Sequence, residues 1–242
     1  MKKIIYIFTV TLLISCGKEK HQVENTFSEN LTQKQIDSVL TDFKFEYNNP
    51  IYIDSTNFVL LPITTKNTSS NKLINKSSYS YTDSRTKYWN ILFYNSTSEK
   101  ISLLTESKMS ISDFDYNLRE VGSILSKSIL YKIRLIDYNN DGKLNHKDPE
   151  YLFISKNSGT ELKRLSPENE NLLSYSIIPK TNQLIIKTSR DTNNDFKFDV
   201  NDAIIWYKID LQLNSKPLEI IDSINRKKIE NLFFKQWLEK EK

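Results

Sequence analysis

The sequence predicts a mainly β fold: an antiparallel meander of repeated multi-stranded units, opened by a short helix and closed by a second one. Short β-branched and aromatic runs recur from residue 51 onward, separated by Asn, Ser, Asp, Lys and Gly, as strands alternate with polar turns. A phrase of strand, acidic loop, strand, turn and strand recurs after 54 residues. Apolar residues at helical spacing flank this region at both ends.

The first segment reads as an address. Met1-Lys2-Lys3 is a basic start, and residues 4–14 form an uncharged run too short to cross a bilayer as a helix. Leu13-Ile14-Ser15-Cys16-Gly17 follows and resembles a bacterial lipobox, with Cys16 as the only cysteine in the chain. The resemblance implies a lipoprotein signal peptide over 1–15 and a lipidated Cys16 at the start of the mature protein. Its partner is then a membrane, held through acyl chains at the cell envelope, and the outer membrane is the expected site. Lys18-Glu19-Lys20 partly resembles the export signal of Bacteroidetes surface lipoproteins, and leaves the periplasmic and surface-exposed faces both open.

Residues 16–30 are polar and lack apolar periodicity, which predicts a flexible tether. A single β-rich domain is expected over 31–242. It begins with a helix, because Thr32 and Gln35 fit a capping box and Ile36, Val39, Leu40 and Phe43 follow at helical spacing.

The strands come next. Phe58-Val-Leu-Leu61 enters the first copy of the phrase, Ile91-Leu-Phe-Tyr94 leaves it, Asn95-Ser-Thr-Ser98 turns, and Ile101-Ser-Leu-Leu104 returns. In the second copy Ile129 to Ile136 enters, Tyr151-Leu-Phe-Ile154 leaves, Asn157-Ser-Gly159 turns, and Leu162-Lys-Arg-Leu165 returns. Leu184-Ile-Ile186, Ile205-Trp-Tyr207 and Leu218-Glu-Ile220 fill the same places in the third, preceded by a strand at Leu172 to Ile178. With only four glycines in the chain, Asn, Asp and Ser must form most of the turns. From about residue 222 a second helix is expected, with Ile229, Leu232, Phe233 and Trp237 packed onto the sheets.

The connection inside each later copy is rich in acids. Asp137-Tyr-Asn139-Asn-Asp141-Gly142-Lys143-Leu144-Asn145-His-Lys-Asp148 and Asp191-Thr-Asn193-Asn-Asp195-Phe196-Lys197-Phe198-Asp199-Val-Asn-Asp202 share one spacing. Both place Asp or Asn at positions 1, 3, 5 and 9 and Asp at 12, the oxygen-donor order of an EF-hand-like Ca²⁺ loop. Position 7, Lys143 or Lys197, supplies a backbone carbonyl. Asp in place of Glu at position 12 shortens the reach by one methylene and points to the weak affinities of extracellular modules.

Two differences between the loops matter. Gly142 fills the sharp-turn position of the first, whereas Phe196 fills it in the second, which predicts a distorted and weaker second site. In the first copy of the phrase residues 64–87 replace the acidic loop with Ser, Thr, Asn, Lys and Tyr, predicting a long hairpin tip without metal. Strands, not helices, flank both acidic loops, so each reads as a rigid staple rather than an opening sensor.

Tyr151 to Ser166, with its strand, Gly turn, strand and Leu-Ser ending, resembles TolB-type β-propeller blades. It is also similar to uncharacterised flavobacterial lipoproteins that combine such phrases with EF-hand-like loops. The resemblance covers roughly residues 88–221 and implies propeller-like blade repeats in an incomplete or open array, since closed propellers have four to eight blades.

Composition excludes several functions. The formal net charge is +4, and loss of Lys2 and Lys3 with the leader leaves 32 basic against 30 acidic residues, which is no case for nucleic acid. Only His21 and His146 are present, and no phosphate loop or nucleophile elbow occurs. Asp113 and Asp115 are the remaining acidic pair, and Trp89, Tyr94, Trp206 and Tyr207 the remaining aromatic platform. The expected function is a non-catalytic, calcium-stabilised interaction or scaffold module with a protein or glycan partner. The alternatives are a calcium-dependent envelope hydrolase or glycan-binding protein, and a binder of a small ligand or toxin.

Overall fold

A computed structural model describes residues 32–41, 43–67, 88–118, 124–213 and 215–239. The expected leader (1–15), lipidated Cys16, tether (16–30) and most of the hairpin tip (68–87) lie outside the described residues. Two units divide the chain, residues 1–39 and 40–242. Helix α1 (Gln33–Leu40) opens on Thr32, whose backbone N–H and hydroxyl both donate to Gln35 Oε1 at 2.9 and 2.8 Å. Gln33 donates to Asp37 one turn on at 2.8 Å.

Phe43 is not part of that helix. It begins strand β1 (Phe43–Tyr47), where Phe43, Phe45 and Tyr47 alternate with Lys44 and Glu46. A period of two suits one face of a strand and breaks the helical stripe after Leu40.

Strands make up 41% of the described residues, in three antiparallel sheets. The first contains β1, β2 (Ile51–Tyr52), β3 (Phe58–Asn67), β4 (Asn90–Asn95) and β5 (Ile101–Leu103), ordered β1-β3-β4-β5 with β2 also on β3. The second is β6 (Ser110–Asp115), β7 (Ser128–Arg134), β8 (Tyr151–Lys156) and β9 (Lys163–Arg164), in chain order. The third is β10 (Glu170–Ile177), β11 (Gln183–Arg190), β12 (Ala203–Asp210) and β13 (Leu218–Glu219), again in chain order.

The repeated phrase therefore corresponds to the last three strands of each sheet, and β1, β6 and β10 add a first strand. Both β6 and β10 carry a register shift, between Ile111 and Asp113 and between Leu172 and Ser174. A bulge in the same strand of successive sheets extends the internal repeat beyond what the phrase covers.

The middle sheet has apolar surface on both sides because β7 lacks the usual polar alternation. Ile129, Tyr131 and Ile133 on one face join Leu60, Ile91, Phe93 and Ile111 of the first sheet and β6 in one core. Leu130, Leu152 and Ile154 on the other face join Leu184, Ile186, Ile205 and Ile209 of the third sheet in a second core. Side chains one residue apart on a strand point to opposite faces, so one strand serves both cores.

Helix α2 (Ser223–Phe233) begins at Asp222, whose carboxylate accepts the Asn225 N–H at 2.8 Å, and a π-helical turn, Phe234–Leu238, extends it. The expected packing of this helix onto the sheets is absent: no side chain of α2 or the turn is buried, and Trp237 is 75% exposed. Ile229, Leu232, Phe233 and Trp237 still share one face by helical spacing, but each is more than half exposed, so that face has no sheet against it. Its first turn is tied to β13 through Arg226 and Glu219 at 3.3 Å. Among the described residues, no helix is long and apolar enough to cross a membrane.

Candidate metal centre

Hairpin connections of the second and third sheets hold the two acidic loops: the first joins β7 to β8 and the second joins β11 to β12. In both, Asp and Asn side chains accept backbone N–H groups in one pattern. Position 3 accepts from position 5, Asn139 from Asp141 at 3.0 Å and Asn193 from Asp195 at 3.1 Å. Position 5 accepts from position 7, Asp141 from Lys143 at 2.9 Å and Asp195 from Lys197 at 3.0 Å. Position 9 accepts from position 11, Asn145 from Lys147 at 2.9 Å and Asp199 from Asn201 at 2.8 Å. Each contact is a side-chain turn of the kind Asp and Asn form two residues ahead.

The first and last acids also accept backbone N–H groups. Asp137 accepts the Gly142 N–H at 2.8 Å, and Asp191 accepts the Phe196 N–H at 3.0 Å. Asp148 accepts from Tyr138 at 3.0 Å and Asn145 at 2.7 Å, and Asp202 from Thr192 at 3.2 Å and Asp199 at 2.8 Å. Both position-12 acids are buried. Burial raises the Asp148 carboxyl above the usual aspartate range against the pull of its two N–H donors, and the charges of Asp137 and Asp141 add to the rise. An ionised Asp148 thus costs the native state free energy, and a bound cation would offset that cost.

The expected distortion of the second loop does not occur. Phe196 takes the left-handed conformation, φ 61°, beside φ 79° for Gly142, and the preceding Asn194 and Asn140 match at 59° and 55°. Left-handed backbone is costly for a bulky side chain. Packing compensates: the Phe196 ring lies 5.6 Å from that of Tyr138, and Phe198 lies 5.1 Å from the same ring. Tyr138 also donates its hydroxyl to Asp191 Oδ2 at 3.2 Å. Burial first, then the Asp191 charge, pushes this phenol up to about 12, so it is a proton donor at neutral pH.

Tyr138 is the residue that sequence reasoning missed. Position 2 of such a loop has no ligand role, and its partners lie more than fifty residues away in the chain. Through these contacts the loops border a common cleft of about 700 Å³, lined by Asn139, Asp141, His146, Asp195, Phe196 and Phe198 among others.

The donor set fits a hard cation in kind, being all oxygen with seven carboxylates in the two loops. Among the described residues, no three His, Cys, Asp or Glu side chains already stand together as a metal cage. The carboxylates are turned onto backbone N–H groups. A carboxylate oxygen so held retains further acceptor capacity.

Other sequence candidates are held in contacts of their own. Asp113 pairs with Lys132 at 3.6 Å, and Asp115 accepts the Tyr175 hydroxyl. Trp89 and Tyr94 lie on the first sheet, where Trp89 packs on Phe45 at 5.7 Å; Trp206 lies on the third, under Lys187 at 5.4 Å. Tyr207 is buried in hydrogen bonds to Glu170 and Arg190. The four aromatics therefore form no single platform. No model of a known protein family matches the chain, and no curated protein matches it either.

Proposed function

We propose that the protein is a lipid-anchored envelope lipoprotein whose β body is a non-catalytic interaction or scaffold module stapled by two Ca²⁺ ions. The observation that carries this reading is the shared pattern of backbone N–H donors onto positions 1, 3, 5, 9 and 12 of two loops 54 residues apart. Repetition of that pattern in two sheets favours a common ligand over two unrelated turns. The ligands are Asp137, Asn139, Asp141, Asn145 and Asp148 with the Lys143 carbonyl, and Asp191, Asn193, Asp195, Asp199 and Asp202 with the Lys197 carbonyl. Successive meanders, cores between adjacent sheets and loops at equivalent hairpins support propeller-like blades in an open array.

The test is removal of metal. At tenfold excess over Kd each ion contributes about 1.4 kcal/mol. Chelation is then expected to lower the melting temperature by roughly 3–6 °C per site for a chain of this size. A melting curve indifferent to both chelator and millimolar Ca²⁺ would reduce the loops to ordinary turns. Anchoring rests on Cys16 and is tested separately: Cys16→Ser is expected to abolish lipid labelling and release the protein from the membrane fraction. Unchanged retention of that variant would remove the anchor from the account.

A further inference from the structure

One side chain joins the two acidic loops. Tyr138 occupies position 2 of the first, where its N–H is held by Asp148 Oδ1 at 3.0 Å. Its hydroxyl reaches Asp191, position 1 of the second, on the same oxygen that accepts the Phe196 N–H. Its ring packs on Phe196 and Phe198, positions 6 and 8 of the second loop. The corresponding residue of the second loop, Thr192, has no ring to return the contact, although its N–H meets Asp202 as Tyr138 meets Asp148. The link is therefore built from one side only.

We propose that Tyr138 is a positioning residue for the second loop, and that through it cation binding in either loop strengthens binding in the other. The inference rests on the calcium reading above. An ion in the first loop immobilises Asp148 and with it the Tyr138 backbone. The Tyr138 hydroxyl and ring then hold Asp191 and the left-handed turn at Phe196 in place, so less conformational freedom remains to be lost when the second ion arrives. Filling one loop also weakens its negative field at the other, an effect of opposite sign. Salt screens that field over about 8 Å at physiological ionic strength, whereas a coupling made of contacts persists at high salt.

The experiment is calorimetric titration of the full chain with Ca²⁺ at low and high salt. Four proteins are compared: wild type, Asp141→Ala to disable the first loop, Tyr138→Phe to remove the hydroxyl while keeping a ring, and the double variant. The expected result is that Asp141→Ala weakens the second loop about fivefold or more, within the usual range of coupling between sites. In the Tyr138→Phe background the same change is expected to have a much smaller effect on that loop. Equal affinity of the second loop in wild type and Asp141→Ala would overturn the coupling while leaving two independent calcium sites intact. Undiminished coupling in Tyr138→Phe would overturn the role of the hydroxyl. Absence of binding in wild type would instead remove the calcium reading itself, and the coupling with it. Asp141 is exposed, and Phe retains the stacking ring, so both variants are expected to fold. A far-ultraviolet spectrum of each checks this before titration.

Discussion

Gly159→Ala is expected to destabilise the protein by about 2–4 kcal/mol, measured by urea denaturation. Gly159 lies in the turn between β8 and β9 at φ 77°, where an L side chain costs about 1–2 kcal/mol. A Cβ there would also stand 2.5–2.8 Å from three atoms of the Phe93 ring. Phe93 belongs to β4 of the first sheet and is fully buried, so its ring cannot swing into solvent. Overpacking of this kind costs about 1–3 kcal/mol. The turn of one sheet thus closes against the core of the next through a missing methyl group. Phe93→Leu in the same chain is expected to recover the steric part of the loss and to leave the backbone part. Equal loss in both backgrounds would show that the contact with Phe93 plays no role.

Glu170→Ala is expected to cost about 2–4 kcal/mol for a different reason. Glu170 is buried at the start of β10 and accepts from Thr188 at 2.5 Å, Arg190 at 2.7 Å and Tyr207 at 2.8 Å. Burial, followed by the hydrogen bond to Glu170, pushes the Tyr207 phenol up to about 12, so Tyr207 is a donor that needs this acceptor. Losing the carboxylate strands the donors of Thr188 and Tyr207, at about 1–3 kcal/mol for each left unsatisfied. Arg190 is 43% exposed and keeps some hydration, which holds the total below the sum of separate buried losses. Glu170→Gln retains an acceptor oxygen and is expected to lose about half as much. If Ala and Gln prove equally harmful, charge rather than hydrogen-bond capacity governs the network.

Local pattern and long-range contact were not equally legible in the chain. The repeated phrase placed β3 to β5, β7 to β9 and β11 to β13, because β-branched runs and polar turns are local signals. Phe43 misled because a helical stripe through Ile36 and Leu40 extends onto it by arithmetic, while its true partner, Asn67, lies on another strand. The closing helix misled for a related reason. Periodicity reports which side chains share a face and not whether a sheet stands opposite, and Trp237 has none. Phe196 looked like a break in the second loop because strain is read from residue type alone. Tyr138, whose ring rests against it, comes from a different sheet. The side-chain turns of the two acidic loops were legible, since an Asp or Asn that accepts an N–H two residues ahead is a local signal.

The most direct test of the central claim is a count of bound ions. Calorimetric titration of the chelator-treated full chain with Ca²⁺ is expected to give two ions per chain, with Kd values of about 10⁻⁴–10⁻³ M, the range of weak calcium modules. Asp148→Ala is expected to remove the first-loop ion, and Asp202→Ala the second. No binding at Ca²⁺ concentrations well above 10⁻³ M, or binding untouched by both substitutions, would contradict the account.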